Sequence, residues 1–218
     1  MDSELVLKKL LHTIFLRSPQ NCFDEFIKEC QAWYSKPAHT FTEMRVRSNK
    51  KIRGDIFEEF CVLYLKYVKG YETVWLLYDL PDEILEKLSL KRRDMGIDII
   101  ISTATGYIAV QCKYKAPSDK KTCISWKALS TFYALCLRTG PWEKYIVMTN
   151  CHFTRHQGPK TEKDVSICLG TFRAITNESW IKLCGAEGET LDTENNTSLT
   201  KEELRLKRLQ FYTADSTS

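Results

Sequence analysis

The sequence predicts an α/β protein with a central mixed β-sheet flanked by helices and extra helices at its N-terminus. Three observations carry this prediction. Apolar residues recur three and four apart over 3–17 and 21–34, ahead of a break at Pro37. The same rhythm returns over 54–70 and 126–137. Between those stretches, apolar runs at 97–101 and 107–113 surround a Ser-Thr-Ala-Thr-Gly turn and read as a β-hairpin.

The individual elements follow in order. In the helix that Gly54 opens, Ile56, Phe57, Phe60, Cys61, Leu63, Tyr64, Tyr67 and Val68 share one face, and Gly70 ends it. Residues 71–77 are aromatic and β-branched enough for a short strand, and Pro81 starts a short helix reaching Leu88. After the hairpin, Ser125 is placed to cap the helix over 126–137. Strands are expected at 145–148 and 166–172. The core order is thus helix, hairpin, helix, strand. Residues 185–200 turn polar and acidic, as a flexible linker does, and 201–211 form a charged terminal helix. The expected organisation is an N-terminal helical extension over 1–45, a core over 46–184, and a tail over 185–218.

Composition narrows the function classes. With 43% hydrophobic and 28% charged residues, the chain has the make-up of a folded globular protein. No run approaches the roughly 20 apolar residues that cross a bilayer, so no membrane partner is expected. The N-terminus carries Asp2 and Glu4 ahead of any basic residue, the wrong order for a signal peptide. Nine cysteines, mostly within apolar segments, point to an intracellular, reducing compartment, cytoplasm or nucleus. The net charge of +4 is unevenly placed: an acidic stretch at 187–203 offsets basic groups at Lys50-Lys51, Arg53, Lys91-Arg92-Arg93, Lys113, Lys115 and Lys120-Lys121. A polyanion is the partner such clusters fit. No phosphate-binding glycine loop occurs, so no nucleotide cofactor is expected, and no Gly-x-Ser-x-Gly elbow supports a serine nucleophile.

The chemistry concentrates in the hairpin. Gln111 and Lys113 lie two residues apart and emerge on one strand face, while Cys112 turns to the other. With a two-residue loop, Asp98 lies opposite Gln111 if Ala104-Thr105 forms the turn, or opposite Lys113 if Thr105-Gly106 does. Either register gathers the three polar groups. Asp98 interrupts an otherwise apolar run, where a carboxylate is costly to bury unless it is paired or holds a metal. Hydrolysis of a phosphodiester needs such a group, because a cation must offset the repulsion between phosphate and nucleophile. Oxygen ligands suit magnesium.

Together, Gly54-Asp-Ile-Phe57-Glu58, Arg93-Asp-Met-Gly96-Ile97-Asp98 and Gln111-Cys112-Lys113 resemble the PD-(D/E)XK nucleases, specifically the Mrr-like restriction endonuclease branch. The resemblance runs from about Gly54 to Asn150 and implies a restriction-endonuclease-like core and Mg2+-dependent or Mn2+-dependent cleavage of DNA. It implies that Asp98, Gln111, the Cys112 backbone carbonyl and a helical glutamate hold the metal, and that Lys113 orients the attacking water and stabilises the transition state. Glu58 fits the helical position by its context, with Glu59 as rival; a helical wheel places both at the flanks of the apolar stripe. Gln111 stands where Glu or Asp is usual, and an amide is a neutral, weaker magnesium ligand.

Nucleic-acid contacts are expected from Arg53, Arg92, Arg93, Lys115, Lys127, Asn150 and Arg155, with Thr149 and Asn150 at a strand end lining the groove. Cys151, His152 and His156 offer soft ligands, but no second pair accompanies them, so a basic loop is the favoured reading over zinc. Three functions fit: a DNA endonuclease, a nuclease-fold module that binds nucleic acid without cutting, and a nuclease domain working beside a helicase motor. A second copy of the chain is an alternative partner.

Overall fold

The computed structural model describes residues 3–35, 52–93, 96–156 and 161–186. The expected linker and terminal helix lie outside the described residues, as do Lys50 and Lys51 and the side chain of Arg53.

Helices α1 (Ser3–Arg17) and α2 (Cys22–Ser35) lead into α3 (Ile52–Leu63), which continues as a π-helical turn over Tyr64–Val68. Strand β1 (Thr73–Leu76) and the short helix α4 (Asp82–Lys87) follow. The hairpin is β2 (Ile99–Ser102) and β3 (Tyr107–Lys113), then come β4 (Cys123–Ile124), α5 (Trp126–Arg138) and β5 (Lys144–Thr149). The described chain ends with β6 (Phe153–Thr154), β7 (Asp164–Ile167), α6 (Leu169–Arg173) and α7 (Asn177–Cys184).

The main sheet has the order β1-β2-β3-β5-β7. Strands β1, β2 and β3 pair antiparallel, whereas β3, β5 and β7 pair parallel, so the sheet is mixed as expected. A separate two-stranded sheet joins β4 to β6. The strands of the main sheet are covered on both faces, which is why β2 and β3 read as near-continuous apolar runs.

Strand alternation sorts the core into two layers. Ile99, Ile101, Ile108, Val110, Cys112, Ile146 and Met148 face α1, α2, α3, α6 and α7. On the other face, Ile100, Ala109 and Val147 pack against Leu129, Phe132 and Cys136 of α5 and Leu85 of α4. The two N-terminal helices belong to the first layer: Leu11, Phe23 and Phe26 are buried in the same cluster as the sheet. They are thus part of the core rather than an appendage to it.

Residues 166–172 depart from the expected strand. Only 164–167 is extended; Cys168 caps α6, whose Leu169 and Phe172 lie three apart and both face the core. The spacing of Ile167 and Leu169 fits a strand and that of Leu169 and Phe172 a helix, and packing decides. Phe172 is fully buried, its ring centroid 4.7 Å from Phe23, 5.2 Å from Tyr64 and 5.7 Å from Phe60. It therefore ties α2, α3 and α6 together. Phe172→Ala is expected to lower stability by about 3–5 kcal/mol through lost burial and a cavity, read as a lower urea midpoint at unchanged slope.

Candidate active site

The hairpin register follows from its turn. Ile99 lies opposite Val110 and Ser102 opposite Tyr107, so Ala104 and Thr105 form the loop, and Asp98 stands just ahead of the paired residues of β2. Of the two registers open from sequence, this is the first. The loop is pinned from outside: the Thr103 hydroxyl donates to the Glu143 carboxylate at 2.8 Å, the Thr105 hydroxyl donates to the same group, and Thr103 N–H donates to Gly106 O at 2.9 Å. Glu143 is held below the usual glutamate range by these hydroxyl bonds, so the clamp stays ionised near neutrality.

Gly96 sets the approach to Asp98. Its φ of +135° lies where side chains are strained, and a Cβ there would come within 3.1 Å of the Phe132 backbone in α5. Only glycine lets the chain run this close beneath the helix before turning into β2.

Gln111 and Lys113 share the sheet face of Ala109, and Asp98, just ahead of β2, meets the same stretch of β3. Asp98 N–H donates to Val110 O at 2.9 Å, and its carboxylate accepts the Cys112 N–H at 2.7 Å. In a strand, the N–H and C=O of one residue point to the same neighbour, so the Cys112 carbonyl also faces the Asp98 side. Gln111 is 2% exposed, and its Oε1 is buried with no hydrogen-bond partner. An unmet acceptor of this kind costs about 1–3 kcal/mol unless something binds it. A buried acceptor, a carboxylate and a carbonyl on one strand edge are hard oxygen donors, and they fit a divalent cation such as Mg2+. No group of three or more His, Cys, Asp or Glu able to hold a metal occurs among the described residues. A cation here would therefore rest on a mixed set of oxygens.

The two rival glutamates part company. Glu59 lines a cavity of about 300 Å3 between α1, α3 and β1, with Glu4, Lys66 and Trp75. Glu58 instead shares its surroundings with Asp98: the Cys61 and Cys112 thiols touch, and both feel the charges of Glu58 and Asp98. Burial above all raises both thiol pKa values, followed at Cys112 by its contact with Cys61 and at both by these carboxylates, so neither sulfur serves as a nucleophile.

Behind the hairpin, the end of β5 holds the exit of β3. The Thr149 hydroxyl donates to Lys113 O at 2.7 Å and accepts from Cys151 N–H at 3.1 Å. Asn150 is buried and closes a pair with the Lys115 backbone, accepting its N–H at 2.8 Å and donating to its C=O at 2.7 Å. The amide expected to contact nucleic acid is thus engaged on both its atoms with the Lys115 backbone. The Thr149 hydroxyl likewise fixes the strand. A Thr-Asn pattern at a strand end carries turn chemistry as well as the expected groove contact.

The basic residues separate by their partners. Arg92 donates to Asp82 at 2.6 Å and to Tyr78 O at 2.8 Å, which locks the segment after α4. Arg155 lies over the Phe153 ring, 5.8 Å from its centroid, and Lys115 Nζ reaches Cys123 O at 3.5 Å. Lys127 is exposed in the first turn of α5, and Arg93 is exposed at the approach to Gly96. Cys151, His152 and His156 diverge. Cys151 is buried, His152 Nδ1 accepts from Thr122 N–H at 3.1 Å, and His156 meets the Thr154 hydroxyl at 2.9 Å and the Tyr133 hydroxyl at 3.4 Å.

Burial pushes the Asp98 pKa up, offset in part by the Cys112 N–H and the Lys113 charge. A folded-state pKa above the unfolded one adds stability at low pH that is lost as pH rises through the elevated value. At neutral pH the ionised carboxylate is thus a burden to the metal-free protein. Asp98→Asn keeps the acceptor for Cys112 N–H and removes the charge. It is expected to raise metal-free stability at pH 7, on the order of 1 kcal/mol or a few degrees in Tm, with the gain vanishing in acid, as scanning calorimetry across pH will show.

A family model described as restriction endonuclease, of the Mrr catalytic type, matches residues 65–175. The match takes in Asp98, Gln111 and Lys113 and begins past Glu58. No curated protein and no solved structure matches the chain. With half of the chain matched, and a mixed sheet flanked by helices carrying the hairpin, the protein belongs to the Mrr-like restriction endonuclease family.

Proposed function

We propose that this chain is a divalent-metal-dependent DNA endonuclease whose active centre is formed by Asp98, Gln111, Cys112 and Lys113, with Glu58 in support. The unpartnered Oε1 of buried Gln111 beside the Asp98 carboxylate carries the reading, since a buried acceptor without a donor is what a cation-binding edge presents. Asp98, Gln111 Oε1 and the Cys112 carbonyl would hold Mg2+ or Mn2+, with Glu58 reaching the same region. When bound, the ion supplies charge neutralisation at the phosphate and an acidified water.

The chain's own groups do the rest. Lys113 emerges on the face of Asp98 and Gln111, and its charge reaches Asp98. From there it orients a water toward the phosphate and offsets the charge that grows on the phosphoryl oxygens. Thr149 and Asn150 keep that part of β3 fixed, so Lys113 extends from an immobile base. All nine cysteines are free, which supports a reducing compartment as the working environment. A helicase motor or a second copy remains a proposed companion, testable by co-purification.

Cleavage of plasmid, linear duplex and single-stranded DNA should require Mg2+ or Mn2+. It should fall on the order of 100-fold or more in Asp98→Ala and in Lys113→Ala. Wild type that binds DNA yet cuts none of these under either ion would sink the enzyme reading and leave a binding module. Gln111→Glu gives a readout free of turnover. Beside Asp98 it puts two buried carboxylates together, so the metal-free variant should melt below wild type. Added Mn2+ should raise its melting temperature more than it raises that of wild type, because the extra carboxylate is a stronger ligand.

A further inference from the structure

A groove of about 560 Å3 lies between the segment after α4 and the outer face of α5. It is lined by Ser89, Lys91, Arg93, Thr131, Arg138 and Thr139 together with Ala134 and Leu135. Three of these eight residues are cations and none is an acid. Helix α5 carries no Asp or Glu anywhere in its length.

The arginines of this groove differ from others in the protein. Arg17 is held by Glu25 and Glu29, Arg92 by Asp82, and Arg173 by Asp24. Among the described residues, the side chains of Arg93 and Arg138 make no hydrogen bond or ion pair. Two guanidinium groups without a carboxylate face one groove, and their geometry suits phosphate oxygens.

The groove also points somewhere. Lys127, Thr131, Ala134 and Arg138 recur four, three and four apart and so form one stripe along α5. The residues between its charged ends are small, which allows close approach of a strand. The stripe spans about 16 Å at 1.5 Å per residue, the rise of about five steps at 3.4 Å each in a duplex. Its Lys127 end follows β4, which is tied to the exit of β3 through Lys115 and Cys123. Its Arg138 end leads to Glu143, whose N–H donates to Tyr107 O at the start of β3. Helix α5 thus runs antiparallel to β3, beginning beside Lys113 and leading away from it, and Gly96 abuts it midway at Thr131 and Phe132.

We infer that the outer face of α5, with Lys91 and Arg93, is a track for the DNA backbone that carries the substrate away from the Asp98 centre. Lys91, Thr131 and Arg138 are its added contacts, and phosphate oxygens its ligands. The inference rests on the nuclease reading for its choice of polyanion.

The test measures binding of a fluorescein-labelled duplex by anisotropy across salt concentrations, in the Asp98→Ala background so that no cleavage intervenes. Arg93→Glu/Arg138→Glu should bind at least tenfold more weakly than Lys182→Glu, which makes half the charge change on the opposite side of the sheet. Arg93→Gln/Arg138→Gln, the gentler pair, should lower the slope of log affinity against log salt by about two. Circular-dichroism melting confirms that each variant is folded. Affinity for the gentler pair equal to that of Lys182→Glu overturns the track, as does loss of polyglutamate binding in the pair with DNA binding intact, which would mark an acidic protein partner. Metal-dependent cleavage by the unmodified chain is a separate measurement, so a failed track and a failed nuclease reading give different results.

Discussion

The pairing of β2 with β3 in a single register is the constraint on which the rest depends. Side chains alternate with a period of two, so a slip of one residue would turn Gln111 and Lys113 into the layer of Phe57 and Phe60 and bring Cys112 out in their place. The register is guarded at both ends. At the turn, Glu143 grips the hydroxyls of Thr103 and Thr105; at the open end, the Asp98 carboxylate takes the Cys112 N–H. The second contact is structural, and in the proposed centre the same carboxylate is also the charged group.

That double use explains the local chemistry. An ionised carboxylate buried at the start of β2 is unfavourable, and a buried amide oxygen without a donor on the neighbouring strand adds to the burden. Such a site persists because the two core layers around it are well filled, with aromatic rings of α2, α3 and α6 stacked on one side and α5 seated on the other. The cost is local and the support is spread over the molecule.

Much of this was legible in the sequence, and the boundary has physical causes. The hairpin, α3 and α5 declare themselves because each is long enough to show its period. That Gln111 and Lys113 share a face followed from strand parity alone. The choice between registers did not, since it depends on Glu143, forty residues from Thr103, reaching the turn. Glu58 and Glu59 were equally inseparable, because adjacent residues on a helix differ only in which neighbour packs beside them. Asn150 was ambiguous for a related reason: a polar residue at a strand end has the same appearance whether it faces solvent or binds the backbone next door. The strand over 166–172 failed because Leu169 serves both the two-residue spacing with Ile167 and the three-residue spacing with Phe172. The two-stranded sheet of β4 and β6 and the short helix α7 were missed, each too brief for a period to register.

The sheet's mixed pairing bears on how the protein acquires its site. Asp98, Gln111 and Lys113 lie within one hairpin, and closing its two-residue loop sacrifices little chain entropy. The polar trio is therefore a product of local contacts. The parallel pairs of β3 with β5 and β5 with β7 require long crossovers and form more slowly. Until β5 docks, β3 is an open edge of apolar residues, a template for pairing with other chains. The clamp from Thr149 and Asn150 arrives with that same docking, so the step that removes the exposed edge is the step that makes the centre rigid. Chains that fold to the hairpin and stop there would carry the chemical groups without their support, and would be the ones most prone to associate.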